Sequence, residues 1–312
     1  MGKKVAIIIA TYNQEKLLKE CLISLNSKTD YKNYKIFLVD DSGKGKIGKK
    51  IIKKFKKIEV INTKGKTGFS GAYNVGIKNS LKWNPDYILL LNDDTEVIEK
   101  NWLKEMIKVG ESESKIGILG CRILYPNGNL QSLGGHIRGW EITKISNFKE
   151  GEILDVDHVM GTFLLIKKEV IGRIGLLDEI YNPYLLEETD YCLRAKKEGF
   201  IIKSVSSVKI IHKKSKTIHT DVNNRRMFVR FKNDIIFSMR HLKSWNKFFR
   251  IFIFLPIIAI FRKRQDEDDL KIKNFAFRKE AISNIFLLIS AYVYSLIKIR
   301  EILWRKNERV FK

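Results

Sequence analysis

Two adjacent carboxylates, Asp93 and Asp94, follow an apolar stretch of the sequence and are the residues best placed to do chemistry. The stretch Tyr87–Leu91 is apolar or aromatic throughout, which is typical of a buried parallel strand. Open α/β sheets bind ligands at the carboxyl ends of their strands, and divalent cations take hard oxygen ligands such as carboxylates. The pattern therefore predicts a cation site at the end of this strand. A polar turn, in which Asp94 or Thr95 caps a helix, explains the same residues.

Polar side chains also follow two other apolar stretches. Thr11 and Tyr12 come directly after Val5–Ala10, and Asp40 comes directly after Ile36–Val39. Because parallel strands present their carboxyl ends at the same edge of a sheet, we expect these side chains to lie beside the acidic pair. The convergence of three strand ends indicates a functional site more strongly than any one of them alone.

The elements that would position these groups alternate along the chain. Apolar residues at helical spacing follow the predicted strands Val5–Ala10 and Tyr87–Leu91, in Leu17–Leu25 and Trp102–Ile107. The lysine-rich segment Lys44–Lys57 also has helical spacing, and Val156–Ile166 is strand-like with Gly161 inside it. This alternation predicts an α/β fold with a doubly wound, mostly parallel sheet. A glycine within a strand marks either a close approach by backbone or by a ligand, or a simple bulge.

The segment Tyr184–Phe200 contains a further predicted helix. We expect it to begin at Thr189 and to be closed by Gly199. Asp190 and Arg194 stand four residues apart on this helix and are expected to form an ion pair.

Six segments, in this order, resemble the inverting, nucleotide-sugar-dependent glycosyltransferases of family 2. They are IIIATYNQEKLLKECLISL, FLVDDSG, GFSGAYNVGI, LLLNDDTEV, VMGTFLLIKKEVIGRIGLLDE and EETDYCLRAKKEGF. The similarity runs from Val5 to about His219 and is strongest to a subgroup that includes rhamnosyltransferase-like enzymes. It implies the GT-A fold, a Rossmann-like doubly wound sheet, in a domain that we place at residues 1–240.

The resemblance also implies a role for each residue at the predicted sheet edge. Thr11, Tyr12 and Asp40 would hold the base and the ribose of a nucleotide-sugar donor. Asp93 would contact the ribose or the metal. Asp94 would bind a divalent cation, Mg²⁺ or Mn²⁺, beneath the diphosphate.

The sequence departs from the family pattern in two places. Asn92 stands where the family's DxD motif has its first acid, which leaves Asp94 as the principal metal ligand. The catalytic base of the family is usually an aspartate after a glutamate, whereas this chain has Glu187 followed by Glu188. The resemblance therefore implies Glu188 as the general base, with Glu187 as the alternative. Ile201–Val205 and Val208–Ile211 are predicted to be two short strands, and His212 follows the second. His212 is either a further metal ligand, a diphosphate contact or a structural histidine.

The composition limits the class of protein. Hydrophobic residues make up 44% of the 312 residues, enough to build a core and to exclude a disordered chain. The net charge of +24 favours an anionic partner, such as a membrane face, nucleic acid or a phosphate-bearing substrate. The three cysteines are scattered without metal-ligand spacing, which is typical of reduced thiols in a cytosolic protein.

Two apolar stretches, Phe248–Phe261 and Ala281–Ile297, distinguish the extension that we place at residues 241–312. As helices they would be about 21 and 26 Å long, shorter than the ~30 Å hydrocarbon core of a bilayer. The sequence therefore favours helices lying on an anionic membrane surface. The sequence therefore also predicts a cytoplasmic location, on the inner face of the cell membrane. A packed helical extension, a dimer interface and a two-helix membrane hairpin are the alternatives.

The leading functional prediction is an enzyme that transfers a sugar to a glycan or lipid-linked acceptor in surface polysaccharide or glycoconjugate assembly. A metal-dependent nucleotidyltransferase-like enzyme is one alternative, but it would need a glycine-rich phosphate loop near the first strand, where the chain has TYNQEK. A non-enzymatic basic nucleic-acid-binding protein is the other. It would explain the charge but not the gathered carboxylates, which repel phosphate without a metal. No nucleic-acid partner is therefore expected.

Overall fold

The structure is a computed structural model of the chain and describes residues 2–45, 51, 55, 58–213, 224–261 and 280–304. Within these ranges lie a ten-stranded mixed sheet and a two-stranded hairpin, β8–β9. The strands are β1 (Val5–Thr11), β2 (Tyr34–Asp40), β3 (Ile58–Asn62), β4 (Tyr87–Asn92), β5 (Thr95–Val97), β6 (Ile116–Leu124), β7 (Leu130–Ser132), β8 (Gly135–Arg138), β9 (Glu141–Lys144), β10 (Ile153–Asp155), β11 (Phe163–Lys167) and β12 (Ile201–His212).

The sheet order is β10-β12-β6-β11-β4-β1-β2-β3, with β5 paired to β12 and β7 paired to β6. The strands β4, β1, β2 and β3 are parallel, and β11 runs antiparallel between β4 and β6. The predicted mostly parallel α/β sheet is confirmed.

Helices cover both faces of the sheet. They are α1 (Glu15–Lys28), α2 (Gly68–Ser80), α3 (Trp102–Ser112), α4 (Lys168–Ile174) and α5 (Glu187–Lys197), followed by α6 (Asn224–His241). Successive residues of β1 alternate between two cores, because Ile7 packs with α1 and α3 while Ile8 packs with α2, α4 and α5. A strand that is buried on both faces must be apolar at every position, which explains the unbroken apolar stretches in the sequence.

The C-terminal helices form a third cluster. They are α7 (Ser244–Phe248), a π-helical segment (Phe249–Phe254), α8 (Leu255–Phe261), α9 (Ala281–Ile297) and α10 (Ile299–Leu303). Apolar side chains of α6, α8 and α9 pack together around Phe231, Leu255 and Leu288. The bounds predicted for α9 are confirmed. The helical stretch before it starts earlier than predicted, so that 18 residues from Ser244 to Phe261, with a mean hydropathy of 1.5, are long and apolar enough to cross a membrane.

Four local predictions were wrong. The strand predicted at Val156–Ile166 begins only at Phe163, so Gly161 lies in the preceding turn. The two short strands predicted after residue 200 are one strand, β12, whose pairing with β6 is interrupted after Val205. The helix predicted from Thr189 begins two residues earlier, at Glu187. Asp94 and Thr95 cap no helix within the described ranges, since Thr95 opens β5. Most of Lys44–Lys57 lies outside the described residues, and the division of the chain at residue 240 stays a prediction.

Candidate active site

The ends of β1, β2 and β4 meet at one edge of the sheet, as the sequence predicted. In the strand register Thr11 lies beside Asp40, and Ala10 lies beside Asn92. Asp93 and Asp94 follow Asn92 without a break, so all of these polar groups occupy the carboxyl edge of the parallel strands. Tyr12, the next residue after β1, is partly exposed at the same edge.

Asp40 and Asp41 are adjacent acids with different surroundings. Asp41 accepts hydrogen bonds from the Thr63 hydroxyl at 2.5 Å and from the Thr67 amide at 3.0 Å, which ties the 63–67 loop to the end of β2. Asp40 is fully buried and accepts from the Ser42 amide through Oδ1. Its Oδ2 has no hydrogen-bond partner among the described residues. A buried carboxylate oxygen costs free energy unless it is paired, so Asp40 retains an acceptor for a ligand and Asp41 does not.

Asn92, the departure from the family motif, has a structural role here. Its Oδ1 accepts a hydrogen bond from the Tyr73 hydroxyl of α2 at 3.2 Å. Its backbone oxygen accepts one from the Thr95 hydroxyl at 2.8 Å. These contacts fix the turn that carries Asp93 and Asp94 out of β4.

Asp94 and His212 are in contact. The Nε2 atom of His212 lies 3.2 Å from Oδ1 of Asp94, and its Nδ1 atom lies 3.0 Å from Oε1 of Gln131. The pairing of β12 with β5 places His212 directly beside Thr95, and the Lys213 amide donates to the Asp94 carbonyl at 2.9 Å. The strand register therefore fixes the histidine against the acid.

Asp93 is the second buried acid of the turn. Burial raises the pKa of Asp93 to about 7, and the negative charge of Asp94 adds to the rise, while a hydrogen bond from Thr11 opposes it. Within the part of the chain that the structure describes, Oδ2 of Asp93 has no hydrogen-bond partner. A cation placed here would supply the positive charge that these two neighbouring carboxyl groups lack.

These residues provide some, but not all, of the ligands that a divalent cation needs. Among the described residues, no group of three or more His, Cys, Asp and Glu side chains forms a complete metal site. One or two carboxylates completed by substrate phosphates are the usual way in which Mg²⁺ is bound beside nucleotides. Asp94 with His212, and the buried oxygen of Asp93, offer such an incomplete set.

Glu187 and Glu188 open helix α5. Glu187 is buried, and its Oε2 has no hydrogen-bond partner in the described ranges. Glu188 is less deeply buried than Glu187 and is partly exposed. Burial raises the pKa of both carboxyl groups: that of Glu188 to about 7, and that of Glu187 further because the charge of Glu188 adds to it. Because the two carboxyl groups interact, a proton that is bound near neutral pH belongs to the pair and not to one residue.

The turn before β11 brings Glu188 to the edge where β4 ends. The Asn92 amide donates to the Thr162 carbonyl at 3.1 Å, so this turn lies beside the acidic motif. A β-carbon placed at Gly161 would lie 3.4 Å from Cβ of Glu188 and 3.0 Å from Cζ of Phe69. Gly161 lies in a turn outside β11, and the groups that approach it are side chains. The turn at Gly161 and Thr162 thus has Glu188 on one side and the Asn92 backbone on the other.

Asp190 anchors α5 to the rest of the protein. The predicted ion pair with Arg194 is confirmed at 2.7 Å, and His241 at the end of α6 approaches the other carboxylate oxygen at 2.8 Å. Burial alone would raise the pKa of Asp190, but Arg194, His241 and Arg240 hold it well below its usual range. Asp190 is therefore an ionised structural residue and not a second base.

Sequence reasoning missed the polar residues that reach this site from α6. Lys232 and Asn233 are buried and donate to carbonyl groups of the loop that precedes Glu187. The carbonyl groups that they contact lie about fifty residues earlier in the sequence. No local pattern signals such contacts.

The glycosyl transferase family 2 model matches residues 6–175, which is more than half of the chain. A Haloferax volcanii protein, the low-salt glycan biosynthesis hexosyltransferase Agl10, is 26% identical over 240 residues, which covers 75% of each chain. An uncharacterized Sinorhizobium fredii protein, y4gI, is 24% identical over 261 residues. That alignment covers 77% of this chain but only 28% of the relative.

The fold is also found among solved structures. The mannosyltransferase PcManGT from Pyrobaculum calidifontis, solved in complex with GDP-Man and Mn²⁺, aligns with a TM-score of 0.55 at 11% identity. The alignment covers 96% of this chain and 76% of that protein. The GT-A-like fold expected from the sequence is confirmed.

Proposed function

This chain belongs to glycosyl transferase family 2, and we propose that it transfers a sugar, with inversion, from a nucleotide-sugar donor to a glycan or lipid-linked acceptor. The acceptor would belong to the assembly of a surface polysaccharide or glycoconjugate. One observation carries the proposal: the ends of β1, β2 and β4 meet at one sheet edge, and Glu188 approaches that edge through Gly161. The site therefore combines the groups for binding a nucleoside diphosphate with a base.

The donor nucleoside would occupy the β1–β2 side of the edge. Asp40 would accept a hydrogen bond from the base or the ribose through the buried oxygen that lacks a protein partner among the described residues. Thr11 lies beside it in the register, and Tyr12 offers a partly exposed ring. Asp93 would contact the ribose or the metal.

The diphosphate would lie over the turn that follows β4. Asp94 and His212 would hold a divalent cation, Mg²⁺ or Mn²⁺, together with oxygens of the diphosphate. Such a cation acts as a Lewis acid and stabilises the charge that develops on the leaving nucleoside diphosphate, an effect worth several kcal/mol. The protein keeps Asp94 and His212 in place through the β5–β12 pairing.

Glu188 would act as the general base. Its carboxylate takes the proton of the acceptor hydroxyl while the hydroxyl oxygen attacks the anomeric carbon and the bond to the diphosphate breaks on the opposite face. A positioned base contributes about 10²–10⁴-fold in rate. Its pKa of about 7 is matched to work near neutral pH. Glu187 is more deeply buried and is the weaker candidate.

The C-terminal helices would hold the enzyme on the inner face of the cell membrane. Large apolar side chains are exposed on α7, the π-helical segment, α9 and the end of α10. They include Trp245, Phe248, Phe252, Ile282, Phe286, Leu296, Ile297 and Trp304. Lys243 and Arg300 are exposed near the ends of these helices and would contact anionic headgroups. Such an orientation would present the site to a lipid-linked acceptor.

A donor screen tests the proposal. The purified protein is incubated with UDP-, GDP- and dTDP-sugars and Mn²⁺, and release of the nucleoside diphosphate is measured with and without a chelator. We expect one class of donor to be consumed, and only with the cation. Tight, salt-sensitive binding of DNA or RNA, together with no consumption of any nucleotide sugar, would contradict the proposal.

A further inference from the structure

The 180–186 loop, which lies between α4 and α5, is held by two adjacent side chains of α6. Lys232 Nζ donates to the carbonyl oxygens of Ile180 at 2.7 Å and Asn182 at 2.9 Å. Asn233 Nδ2 lies within hydrogen-bond distance of three more carbonyl oxygens, those of Tyr181 at 2.8 Å, Tyr184 at 2.7 Å and Leu185 at 2.9 Å. Five carbonyl groups of one loop therefore depend on two neighbouring residues of one helix.

This loop ends in an unfavourable backbone conformation immediately before the acidic pair. Leu185 has a φ of 82° and Leu186 has a φ of 70°. Residues other than glycine, asparagine and aspartate avoid this left-handed region, and such strain persists only where the surroundings impose it. Because Glu187 follows Leu186 directly, the direction in which α5 begins depends on how this loop is held.

Burying Lys232 and Asn233 costs free energy, and the need to fill space does not explain why polar residues occupy these positions. Asn233 is fully buried, and Lys232 is 4% exposed. Burial lowers the pKa of Lys232 to about 8, although the charges of Glu187 and Asp178 oppose the shift. An apolar side chain would fill the same space without desolvating an ammonium group or an amide. What the polar side chains add is the set of donors to the loop.

We propose that Lys232 and Asn233 are positioning residues that hold the 180–186 loop in the conformation that directs Glu188 toward the sheet edge. The inference rests on the proposed role of Glu188 as the base. It extends the active site to α6, beyond residue 175, where the family match ends. Neither residue needs to touch the donor or the acceptor.

The central test compares Asn233→Leu with Asn284→Leu. Asn284 is also fully buried and donates to a carbonyl, that of Ala259, but it lies between α8 and α9, away from the loop. Both variants remove a buried amide donor and keep a side chain of similar size. Asn233→Leu leaves three carbonyl groups without this donor and Asn284→Leu leaves one, so the two variants are compared under conditions in which urea denaturation shows both to be folded.

We expect Asn233→Leu to lower kcat by about 10²-fold, as a displaced catalytic group does, with the donor KM unchanged within about twofold. The acidic limb of its pH profile should move to lower pH, because a displaced loop exposes Glu188 to water. Glu187, Lys232 and Asp190 are the other charged groups whose influence on the pair changes with the loop. Asn284→Leu should leave kcat and the pH profile unchanged.

Lys232 supplies a second comparison. Lys232→Arg keeps the charge and the donors and should retain most of kcat, whereas Lys232→Met should lose it as Asn233→Leu does. Equal losses in the two Lys232 variants, or the same loss in Asn284→Leu as in Asn233→Leu, would overturn the proposal.

Hydrogen–deuterium exchange provides a readout that does not require activity. Backbone amides of residues 180–188 should exchange faster in Asn233→Leu than in the wild type and in Asn284→Leu. Unchanged exchange in this segment would overturn the positioning role. If the wild type consumed no nucleotide sugar, the proposed function would fail, while the exchange experiment would still decide how the loop is held.

Discussion

Replacing Glu188 with Gln should abolish activity and stabilise the protein at alkaline pH. The pKa of this carboxyl group rises from 4.5 to about 7 on folding, mainly through burial. At about 1.4 kcal/mol per pKa unit, this rise corresponds to a destabilisation of the folded state by roughly 3 kcal/mol when the group is ionised. A buried neutral amide avoids that cost, so the variant should lose function while gaining stability.

The direction in which the free energy of unfolding changes with pH follows from proton binding. Between pH 4.5 and about 7 the folded protein binds this proton more tightly than the unfolded chain. The contribution of Glu188 to stability therefore falls as the pH rises through this window, and the full penalty applies above it. Glu188→Gln has no ionisable group at this position. Its free energy of unfolding should exceed that of the wild type by roughly 3 kcal/mol at pH 8 and should match that of the wild type at pH 4.

The assay combines urea denaturation at pH 4 and pH 8 with single-turnover sugar transfer. We expect kcat to fall by about 10²–10⁴-fold in a protein that is more stable than the wild type at pH 8, which excludes misfolding as the cause. Glu187→Gln is the matched control. Because Glu187 is buried more deeply than Glu188 and burial raises the pKa of its carboxyl group well above the usual value, its replacement should leave kcat within about tenfold of the wild type. Near-normal turnover of Glu188→Gln, or its destabilisation at pH 8, would refute the reasoning.

Three further predictions follow from the same site and surface. In the wild type kcat/KM should rise with pH and level off above about pH 7, because Glu188 must be ionised to accept a proton; a pH profile that stays flat from pH 5 to 8 would exclude it as the base. Asp94→Asn should weaken Mn²⁺ binding by at least about tenfold and His212→Gln by a smaller factor, measured by calorimetry in the presence of nucleoside diphosphate; equal affinities in all three proteins would remove both residues from the metal site. Replacing exposed Trp245 and Phe286 by Ser should reduce flotation with vesicles that contain anionic lipid, whereas unchanged partitioning would reject the membrane surface.

The sheet edge could be predicted from the sequence because its cause is local. Buried parallel strands are apolar at every position, so their ends are marked by the first polar residues, Thr11, Asp40 and Asn92. Residue type alone could not separate Asp40 from Asp41. Only the contacts with Thr63 and Thr67 show which of the two is already paired.

The contacts that hold the loop before Glu188 could not be predicted in this way. Asn233 meets the loop across about fifty residues of sequence, and a lysine–asparagine pair in a helix has no periodic signature. Gly161 gave a weak signal, since its closeness to Glu188 depends on how β11 and α5 pack. The bounds of α9 were predictable because a mostly apolar stretch without charged residues, flanked by Glu280 and Lys298, defines both ends of the helix.

The central claim is that the acids at the sheet edge form a metal-dependent site for a nucleoside diphosphate. The most direct measurement is calorimetric titration of UDP, GDP and dTDP into the protein with Mn²⁺, with Mn²⁺ removed, and into Asp40→Asn and Asp94→Asn. We predict that at least one of these nucleotides binds with Mn²⁺, that removing the metal abolishes binding, and that both variants weaken it. Binding that is indifferent to the metal and to both substitutions, or no binding of any of the three, would contradict the account.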